Sequence, residues 1–256
     1  MQITLNLRKT LEQNANEYFE KSKKLRRKTE GAHKIIDKFT KELQTLEHKQ
    51  LAAEQKIETK KTKRTLDWYE KFRWFLSSEG FLCIGGRDST TNEVIIKKHT
   101  DTDDLVFHTE APGSPFFVIK TQGKKPGEAT LQETASATAT FSRAWKLGFT
   151  AAETFLVKPE QVSKKAQSGE YLPKGAFMII GKKTFYPGAL DAAVGKLTDG
   201  KIMCGPLAAV KKHCENAIAI KQGKDKPSDC AKKIAKKLGA DIDDVLRTLP
   251  SGTCTL

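Results

Sequence analysis

The sequence predicts an α+β protein in which a long N-terminal coiled-coil helix precedes a mixed-sheet domain and a small C-terminal α/β lobe. Residues 1–66 contain one glycine and no proline, and their apolar positions recur at helical spacing. Residues 67–188 alternate short apolar runs with loops rich in glycine and polar residues, a pattern typical of a sheet. Residues 189–256 contain shorter strand signals and lysine-rich helices. We expect three domains with these bounds, and call residues 1–66 the arm.

The composition is that of a folded protein outside the membrane. A chain of 256 residues can bury a sizeable core, and 38% of its residues are hydrophobic. No apolar run approaches the roughly 18 residues of a membrane span, and the first residues lack a secretory signal. The five cysteines are odd in number without Cys-x-x-Cys spacing, which favours reduced thiols in the cytoplasm over disulfides or zinc. We expect no membrane partner, no metal and no cofactor.

The net charge of +14 is concentrated on the arm, which holds 17 Lys and Arg residues against 9 Asp and Glu. Such an excess favours a polyanionic partner, most often nucleic acid. The alternative is a solvated lysine-rich helix, and the two explanations weigh about evenly for an arbitrary basic helix. Six of the eight residues from Lys21 to Lys28 are basic with no acid among them, which favours nucleic acid. Lys24, Arg26 and Arg27 are therefore candidate RNA contacts.

The arm is predicted to be one helix from about Leu11 to Ile57, on the order of 70 Å long at the helical rise per residue. Apolar residues follow a coiled-coil seam that is best formed from Ile36 to Leu46. The seam is weakened at Ser22, Thr29 and Gln50. One such helix cannot bury its own seam, so we expect a partner helix from another chain, a second copy or upstream sequence.

The globular part should begin with a helix over Trp68–Leu76 that ends at Gly80. Three apolar runs should then form strands: Val94–Ile96, Leu105–Phe107 and Phe116–Ile119. A helix should follow, opened by a capping box at Thr130 and Glu133 and closed by Gly148. Further strands are predicted at 153–157, 177–180, 201–204 and 217–220, with a polar loop over 161–176. Further helices are predicted after Pro206, at 228–238 and at 241–249.

The loops between the three predicted strands form a candidate binding surface. Gly85 and Gly86 can turn tightly and bring backbone N–H groups close to a ligand, with the Arg87 guanidinium beside them. His108 ends one strand and Pro112–Pro115 shapes the next loop. This chemistry suits phosphate or sugar better than a metal. The alternatives are a salt bridge from Arg87 to Asp88 or Glu93, and a buried structural histidine.

A hydrolase would need His108 together with Ser114 and one of Asp101, Asp103 or Asp104. The sequence has no Gly-x-Ser-x-Gly elbow, no phosphate-binding loop and no dinucleotide-binding fingerprint. We therefore expect that the protein is not an enzyme.

Several motifs occur in a fixed order along the chain. They are 68–78, 84–88 with Asn92 and Glu93, 104–108, 113–115 with 118–120, 142–145, and 159–164 with 169–172. Together they resemble the NFACT-R domain, the C-terminal domain of the NEMF and RqcH proteins of ribosome-associated quality control, and most strongly its archaeal branch. The stretch 14–18 is similar to the second helix of the family's middle coiled coil.

The resemblance implies a factor that binds tRNA and the large ribosomal subunit obstructed by peptidyl-tRNA, and that supports C-terminal tailing of stalled nascent chains. The ribosome performs the peptidyl transfer, so the factor is an RNA-binding protein. Together with the loop residues that suit phosphate or sugar, the resemblance implies a set of candidate RNA-binding residues. They are Gly85, Gly86, Arg87, Asn92, His108, Gly113, Ser114, Lys120, Ser163 and Lys164.

Members of the family also carry an NFACT-N domain and a first coiled-coil helix, which this sequence does not contain. The expected partners therefore include an NFACT-N-bearing chain or a second coiled-coil helix, besides tRNA and large-subunit rRNA. An alternative function is an assembly module that docks such a chain through the arm.

Overall fold

The computed structural model describes residues 3–58, 65–164 and 172–256, with the backbone alone for residues 47–58. The chain divides into two compact units, Met1–Thr65, which is the arm without its last residue, and Leu66–Leu256. The predicted α+β class is confirmed. The division of the second unit into 67–188 and 189–256 stays a prediction. No helix among the described residues is long and apolar enough to cross a membrane.

The arm contains one helix, α1 (Leu11–Glu58), as predicted. Before it, the chain folds back on the first turns of the helix. The side chain of Asn14, only 5% exposed, accepts from the Asn6 amide at 2.9 Å and donates to the Asn6 carbonyl at 3.1 Å. Tyr18 donates its hydroxyl to the Thr4 carbonyl at 2.7 Å. These bonds fix the start of α1.

The predicted seam of α1 is open to solvent over the side chains that the structure describes. Its large apolar residues are each more than half exposed, namely Leu25, Ile36, Phe39, Leu43 and Leu46. The seam positions Gln50, Ala53 and Ile57 and the basic run 60–64 lie outside the described side chains. An exposed stripe of this kind is typical of a helix that packs against another helix.

The described part of Leu66–Leu256 contains twelve strands, all paired antiparallel. They are β1 (Arg73–Leu76), β2 (Leu82–Gly85), β3 (Leu105–Thr109), β4 (Phe117–Lys120), β5 (Ala151–Val157), β6 (Val162–Ser163), β7 (Met178–Ile179), β8 (Thr184–Ala189), β9 (Ala192–Lys196), β10 (Ile202–Gly205), β11 (Ile218–Asp225) and β12 (Cys254–Thr255).

The strands form one large sheet, one smaller sheet and a separate pair. The large sheet has the order β1-β2-β4-β3-β5-β8, the smaller sheet has the order β10-β9-β11-β12, and β6 pairs with β7. The helices of this unit are α2 (Ser89–Lys98), α3 (Glu128–Thr140), α4 (Arg143–Leu147), α5 (Leu207–His213), α6 (Pro227–Leu238) and α7 (Ile242–Thr248).

One hydrophobic core joins the two sheets. Phe75, Phe107 and Phe117 of the large sheet are fully buried in the same cluster as Val194 and Met203 of the smaller sheet. Strand β10 packs against β1, so closely that a Cβ atom at Gly205 would lie 2.8 Å from the Phe75 Cβ. The two sheets therefore share their packing and cannot loosen independently.

Most of the predicted strands and the two last helices are confirmed, but the helix predicted over Trp68–Leu76 is wrong. Residues Arg73–Leu76 form β1, which pairs with β2, and Gly80, at φ +89°, lies in the turn that joins them. Trp74 is 5% exposed whereas Trp68 is 45% exposed. Pairing with β2 buries side chains that a helix would have turned away from the core.

The strand predicted over Val94–Ile96 is also wrong, because this run lies inside α2. The Asp88 carboxylate caps that helix by accepting from the Thr91 amide at 2.8 Å. Three apolar residues in a row do not distinguish a strand from a helix. The Asp88-x-x-Thr91 cap was the local signal for the helix.

The predicted capping box at Thr130 and Glu133 is wrong too. Helix α3 begins at Glu128 and is capped from another segment, because Glu79 accepts from the amides of Gly127 at 3.0 Å and Thr130 at 3.1 Å. Glu133 instead accepts from the Ser78 amide at 2.8 Å. The predicted single helix is two, since Ser142 caps a separate α4, which ends as predicted at Gly148 with φ +79°. Strands β2, β6, β8, β9 and β12 were not predicted, and β6 lies within the stretch 161–176 that was predicted to be a loop.

We predict that Gly205→Ala lowers the free energy of unfolding of the globular unit by about 1–3 kcal/mol, the usual cost of overpacking a core. Thermal unfolding of the full chain measures the effect. The matched control is Gly31→Ala on α1, where an added Cβ meets nothing within 4 Å. An unchanged melting temperature for Gly205→Ala would contradict the shared core.

Candidate functional site

A cleft of about 440 Å³ lies at one end of the large sheet. Its walls come from the start of α2, from the loop before β4 and from the segment before β7. The residues that line it include Gly86, Arg87, Asp88, Ser89, Asn92, His108, Pro112, Gly113, Ser114, Phe116, Phe141, Lys174, Gly175 and Phe177. The structure thus brings six of the predicted residues together, namely Gly86, Arg87, Asn92, His108, Gly113 and Ser114.

The predicted role of the Gly85–Arg87 backbone in holding a ligand is wrong. The Gly86 amide donates to the Phe116 carbonyl at 3.2 Å, and the Arg87 amide donates to the Thr91 hydroxyl at 2.8 Å. The glycines serve packing. A Cβ at Gly85 would lie 2.5 Å from the ring of Phe117, and one at Gly86 would lie 1.8 Å from the Asn92 side-chain oxygen.

Asn92 fixes the loop that forms the second wall. It is 8% exposed, and its Oδ1 accepts from the Phe116 amide at 3.1 Å. Its Nδ2 lies 3.5 Å from the Ser114 carbonyl. The loop is held from its other side by Gly113, at φ +90°, whose carbonyl accepts from the Arg143 amide at 3.0 Å. Asn92 and Gly113 therefore shape the cleft.

The Arg87 guanidinium is anchored by carbonyl groups. Its Nη2 donates to the carbonyls of Phe72 at 2.9 Å and Glu70 at 3.3 Å, and its buried Nε has no hydrogen-bond partner among the described residues. Neither alternative salt bridge forms: Asp88 caps α2, and Glu93 pairs with Lys97 at 2.9 Å. Burial lowers the pKa of Arg87, and the charge of Arg247 lowers it further.

A second guanidinium lies behind the same wall. Arg73 donates to the Leu249 carbonyl at 3.0 Å and to the Ser251 hydroxyl at 3.2 Å, and it lies 4.4 Å over the ring of Phe141, a lining residue. Burial, followed by the charge of Arg87, lowers the pKa of Arg73 to about 10. Among the described residues neither Arg73 nor Arg87 forms a salt bridge with a carboxylate. The nearby charge of Asp88, which also lines the cleft, raises the pKa of Arg87 in part against the effect of burial.

His108 lies on the aromatic side of the cleft. Its Nδ1 is 2.6 Å from the Thr109 carbonyl, an atom that only accepts, so Nδ1 carries the proton. Its ring is 4.2 Å from the ring of Phe116, which in turn meets Phe177 at 5.3 Å. Burial lowers the pKa of His108 below its ordinary 6.5, against smaller opposing contributions from the carbonyls of Thr109 and Ser114. The imidazole is therefore neutral at neutral pH.

Lys120 lies outside the cleft. Its ammonium group donates to the His99 carbonyl at 2.9 Å and to Asp101 at 2.8 Å, and it pairs with Asp104. Lys120 is the last residue of β4, whereas Phe117, near the cleft, is the first. The hydrogen bonds of Lys120 hold the segment that precedes β3 in place. The same geometry separates His108 from Asp101 and Asp104, so the structure does not assemble the hydrolase constellation.

Lys164 supports the third wall from outside. It donates to the carbonyls of Pro173 at 3.2 Å and Ala176 at 3.0 Å, pairs with Glu93 at 3.4 Å, and lies 5.0 Å over the ring of Phe177. Ser163 lies in β6, opposite Met178. Part of the predicted loop 161–176, residues 165–171, lies outside the described residues.

The remaining predicted residues belong to the arm. Lys24, Arg26 and Arg27 are exposed on α1, and Arg26 pairs with Glu30 at 3.4 Å. The sequence did not single out Lys174, Phe177, Phe141 or Arg73. For Lys174 and Phe177 the sequence offered one indication, the polar loop before β7. For Arg73 and Phe141 it offered no indication of a place in the cleft, because their positions depend on the tertiary fold.

Comparison with known proteins identifies the class of domain to which the cleft belongs. Residues 71–181 match the family described as NFACT protein RNA binding domain. The archaeal Rqc2 homolog aRqcH of Methanocaldococcus jannaschii is 46% identical over 204 residues, which cover 77% of this chain and 30% of that protein.

Two eukaryotic relatives agree with this match. The ribosome quality control complex subunit NEMF of Homo sapiens is 35% identical over 68% of this chain and 16% of its own length. Ribosome quality control complex subunit 2 of Schizosaccharomyces pombe is 38% identical over 47% and 12%, respectively. The chain thus belongs to the NFACT family, and it spans less than a third of the length of these relatives.

We predict that His108 makes stability fall as the solution becomes acidic. Its pKa is lowered by folding, so below pH 6.5 the unfolded chain binds more protons than the folded chain. The stabilisation is complete above pH 6.5 and is lost as the pH falls below it. Chemical denaturation across pH should show a shallower decline for His108→Gln than for the wild type. The control is His33→Gln, an exposed arm residue, and equal declines in all three proteins would contradict the assignment.

Proposed function

We propose that this chain is the RNA-binding portion of a cytoplasmic ribosome-associated quality control factor. In this proposal it contacts tRNA, large-subunit rRNA or both on an obstructed large ribosomal subunit, and supports C-terminal tailing of the stalled nascent chain. The cleft supplies one contact surface and the basic cluster Lys21–Lys28 of the arm supplies another. The ribosome itself performs the chemistry of tailing.

The observation that carries the proposal is the pair of guanidinium groups at the cleft, neither of which forms a salt bridge within the described chain. Arg73 and Arg87 bond to carbonyl and hydroxyl oxygens instead of carboxylates within the described chain, and Lys174 stands exposed at the rim. An anionic ligand would complete this arrangement, and the phosphates of RNA are the anions that relatives named for ribosome quality control would meet. The match to an RNA-binding domain family over 71–181 points the same way.

The arm adds a second, sequence-independent contribution. The basic residues of Lys21–Lys28 are all exposed. Exposed lysines and arginines along a helix can track a phosphate backbone and release its counterions, which makes binding sensitive to salt. Because these side chains carry no base-reading geometry, their effect should be on affinity alone.

We predict that RNA affinity depends on both surfaces in different ways. The arm variant Lys24→Gln/Arg26→Gln/Arg27→Gln should reduce the slope of log affinity against log salt by about 2–3 for RNA, because each lost charge removes one phosphate contact.

The cleft variant His108→Gln/Lys174→Ala should reduce affinity for tRNA or large subunits roughly tenfold, about 1.4 kcal/mol. Filter binding or anisotropy across a salt series measures both.

The control for charge is Lys236→Gln/Lys237→Gln, two exposed residues on α6. Binding that falls equally in the control and in the cleft variant would show that charge acts generically. If the wild-type chain binds no RNA at physiological salt, the proposal fails.

A second function, an assembly module, is favoured by the open seam of α1. Ile36, Phe39 and Leu43 are each more than half exposed. Burying such residues is worth about 1.5–3 kcal/mol each, so a partner helix would be held mainly by the seam. The partner in this proposal is an NFACT-N-bearing chain or a second coiled-coil helix.

We predict that Ile36→Glu/Leu43→Glu abolishes association with an NFACT-N-bearing chain, because two charges would enter an apolar interface. Thr40→Glu/Thr45→Glu adds the same charge at exposed positions off the seam and should leave association intact. Sedimentation velocity of the mixed chains measures it. Equal association by both variants would remove the seam from the proposal.

A further inference from the structure

The cleft has the size and the wall structure of a ligand site. Its volume of about 440 Å³ falls within the roughly 300–1,000 Å³ of small-molecule pockets. Its shape is held by close contacts: the buried Asn92 accepts from the Phe116 amide, and a Cβ at Gly175 would lie 2.4 Å from the Ser89 side chain. The described walls are therefore packed in place, and the space between them is available to a ligand.

One side of the cleft suits an anion. Arg87 lines the cleft, and its buried Nε has no hydrogen-bond partner among the described residues, while Nη2 donates to the carbonyls of Glu70 and Phe72. Arg73 adds a second positive charge behind Phe141. A buried cationic donor without a partner is costly, and a phosphate oxygen is a strong acceptor for it.

The start of α2 does not compete for that anion. The Asp88 carboxylate occupies this helix end by accepting from the Thr91 amide at 2.8 Å, and these hydrogen bonds lower its pKa. Asp88 also lines the cleft, and its negative charge would repel a phosphate placed at the helix end. The anion is therefore left to Arg87 and to Lys174, which is exposed at the rim.

The opposite side suits a flat aromatic group. Phe177 is half-buried in the lining, with Lys164 Nζ 5.0 Å from the centre of its ring and the Phe116 ring 5.3 Å away in a T-shaped arrangement. The neutral ring of His108 lies on Phe116. A sulfate or a carboxylate would use the cationic side alone. A ligand that joins a planar ring to a phosphate uses both sides, and a nucleotide is such a ligand.

Paired bases cannot enter this cleft, because both faces of a base in a helix are already stacked. Unpaired bases can be splayed out of a strand and stacked on an aromatic side chain. We propose that the cleft takes one unpaired nucleotide of an RNA strand, with its base against Phe177 and its phosphate at Arg87 and Lys174. This inference rests on the proposed function and adds to it the RNA element that the cleft selects.

The test uses the full chain and two RNAs with equal numbers of phosphates. One is a single strand of about ten nucleotides, near the site sizes of single-strand binders. The other is a hairpin whose loop is a linker without bases, so that all its bases are paired. Each RNA carries 2-aminopurine at one internal position, unpaired in the strand and paired in the hairpin. At about 0.15 M salt the strand should bind roughly tenfold more tightly than the hairpin. Its 2-aminopurine fluorescence should change on binding, whereas that of the hairpin should not.

Phe177→Ala should weaken strand binding roughly tenfold, the effect of losing one stacked base, and should remove the fluorescence change without altering hairpin binding. Phe185→Ala, which removes a ring 51% exposed outside the cleft lining, is the matched control and should bind like the wild type. Circular dichroism reports folding, and Phe177→Leu keeps apolar packing but removes the ring, so it should show the same loss if Phe177→Ala fails to fold.

Three outcomes would overturn the inference. Equal binding of strand and hairpin, with Phe177→Leu behaving as the wild type, would leave RNA binding intact and remove the nucleotide from the cleft. Competition by free uridine or adenosine monophosphate at the concentration at which the strand binds would show that the cleft takes a free nucleotide. Binding of neither RNA would remove the proposed function, and this inference with it.

Discussion

The side-chain amide of Asn92 joins the parts of the chain on which the cleft depends. Asn92 lies on α2, and its Oδ1 accepts a hydrogen bond from the Phe116 amide in the loop before β4. The same oxygen lies so close to Gly86 that no side chain fits at that position. The order of the strands places that loop beside the end of β2, because β2 and β4 are neighbours in the large sheet. Without this amide, a buried N–H group would lose its partner, and the second wall of the cleft would lose its fixed position.

The electrostatic character of the cleft follows from the same packing. Arg87 reaches the carbonyls of the turn before β1, and Arg73 on β1 reaches the end of α7 through the Leu249 carbonyl. Both guanidiniums thus satisfy backbone groups that the fold would otherwise leave unpaired. They do so without a salt bridge to any carboxylate among the described residues. Arg73 and Arg87 therefore both stabilise the fold and supply the positive charge that an anion could bind.

The sequence predicted the long helix, six of the twelve described strands and the grouping of six site residues, because hydrophobic spacing and loop composition are local signals. It failed where partners distant in sequence decide the outcome. Pairing with β2 makes 73–76 a strand, and Glu79 caps α3 in place of the predicted box. Lys120 was nominated from a motif, yet Asp101 and Asp104 hold it at the other end of its strand. The lining contributed by Arg73 and Phe141 follows from tertiary packing alone.

Hydrogen–deuterium exchange on the full chain, with and without bound tRNA or large ribosomal subunits, would show directly whether RNA contacts the cleft. We expect RNA to slow amide exchange in the two loops that wall the cleft, 110–116 and 174–179, together with the start of α2. Protection confined to 21–28 of the arm, with unchanged exchange in both loops, would contradict it. The cleft would then be a packing feature of the domain, and RNA would be held by the charge of the arm.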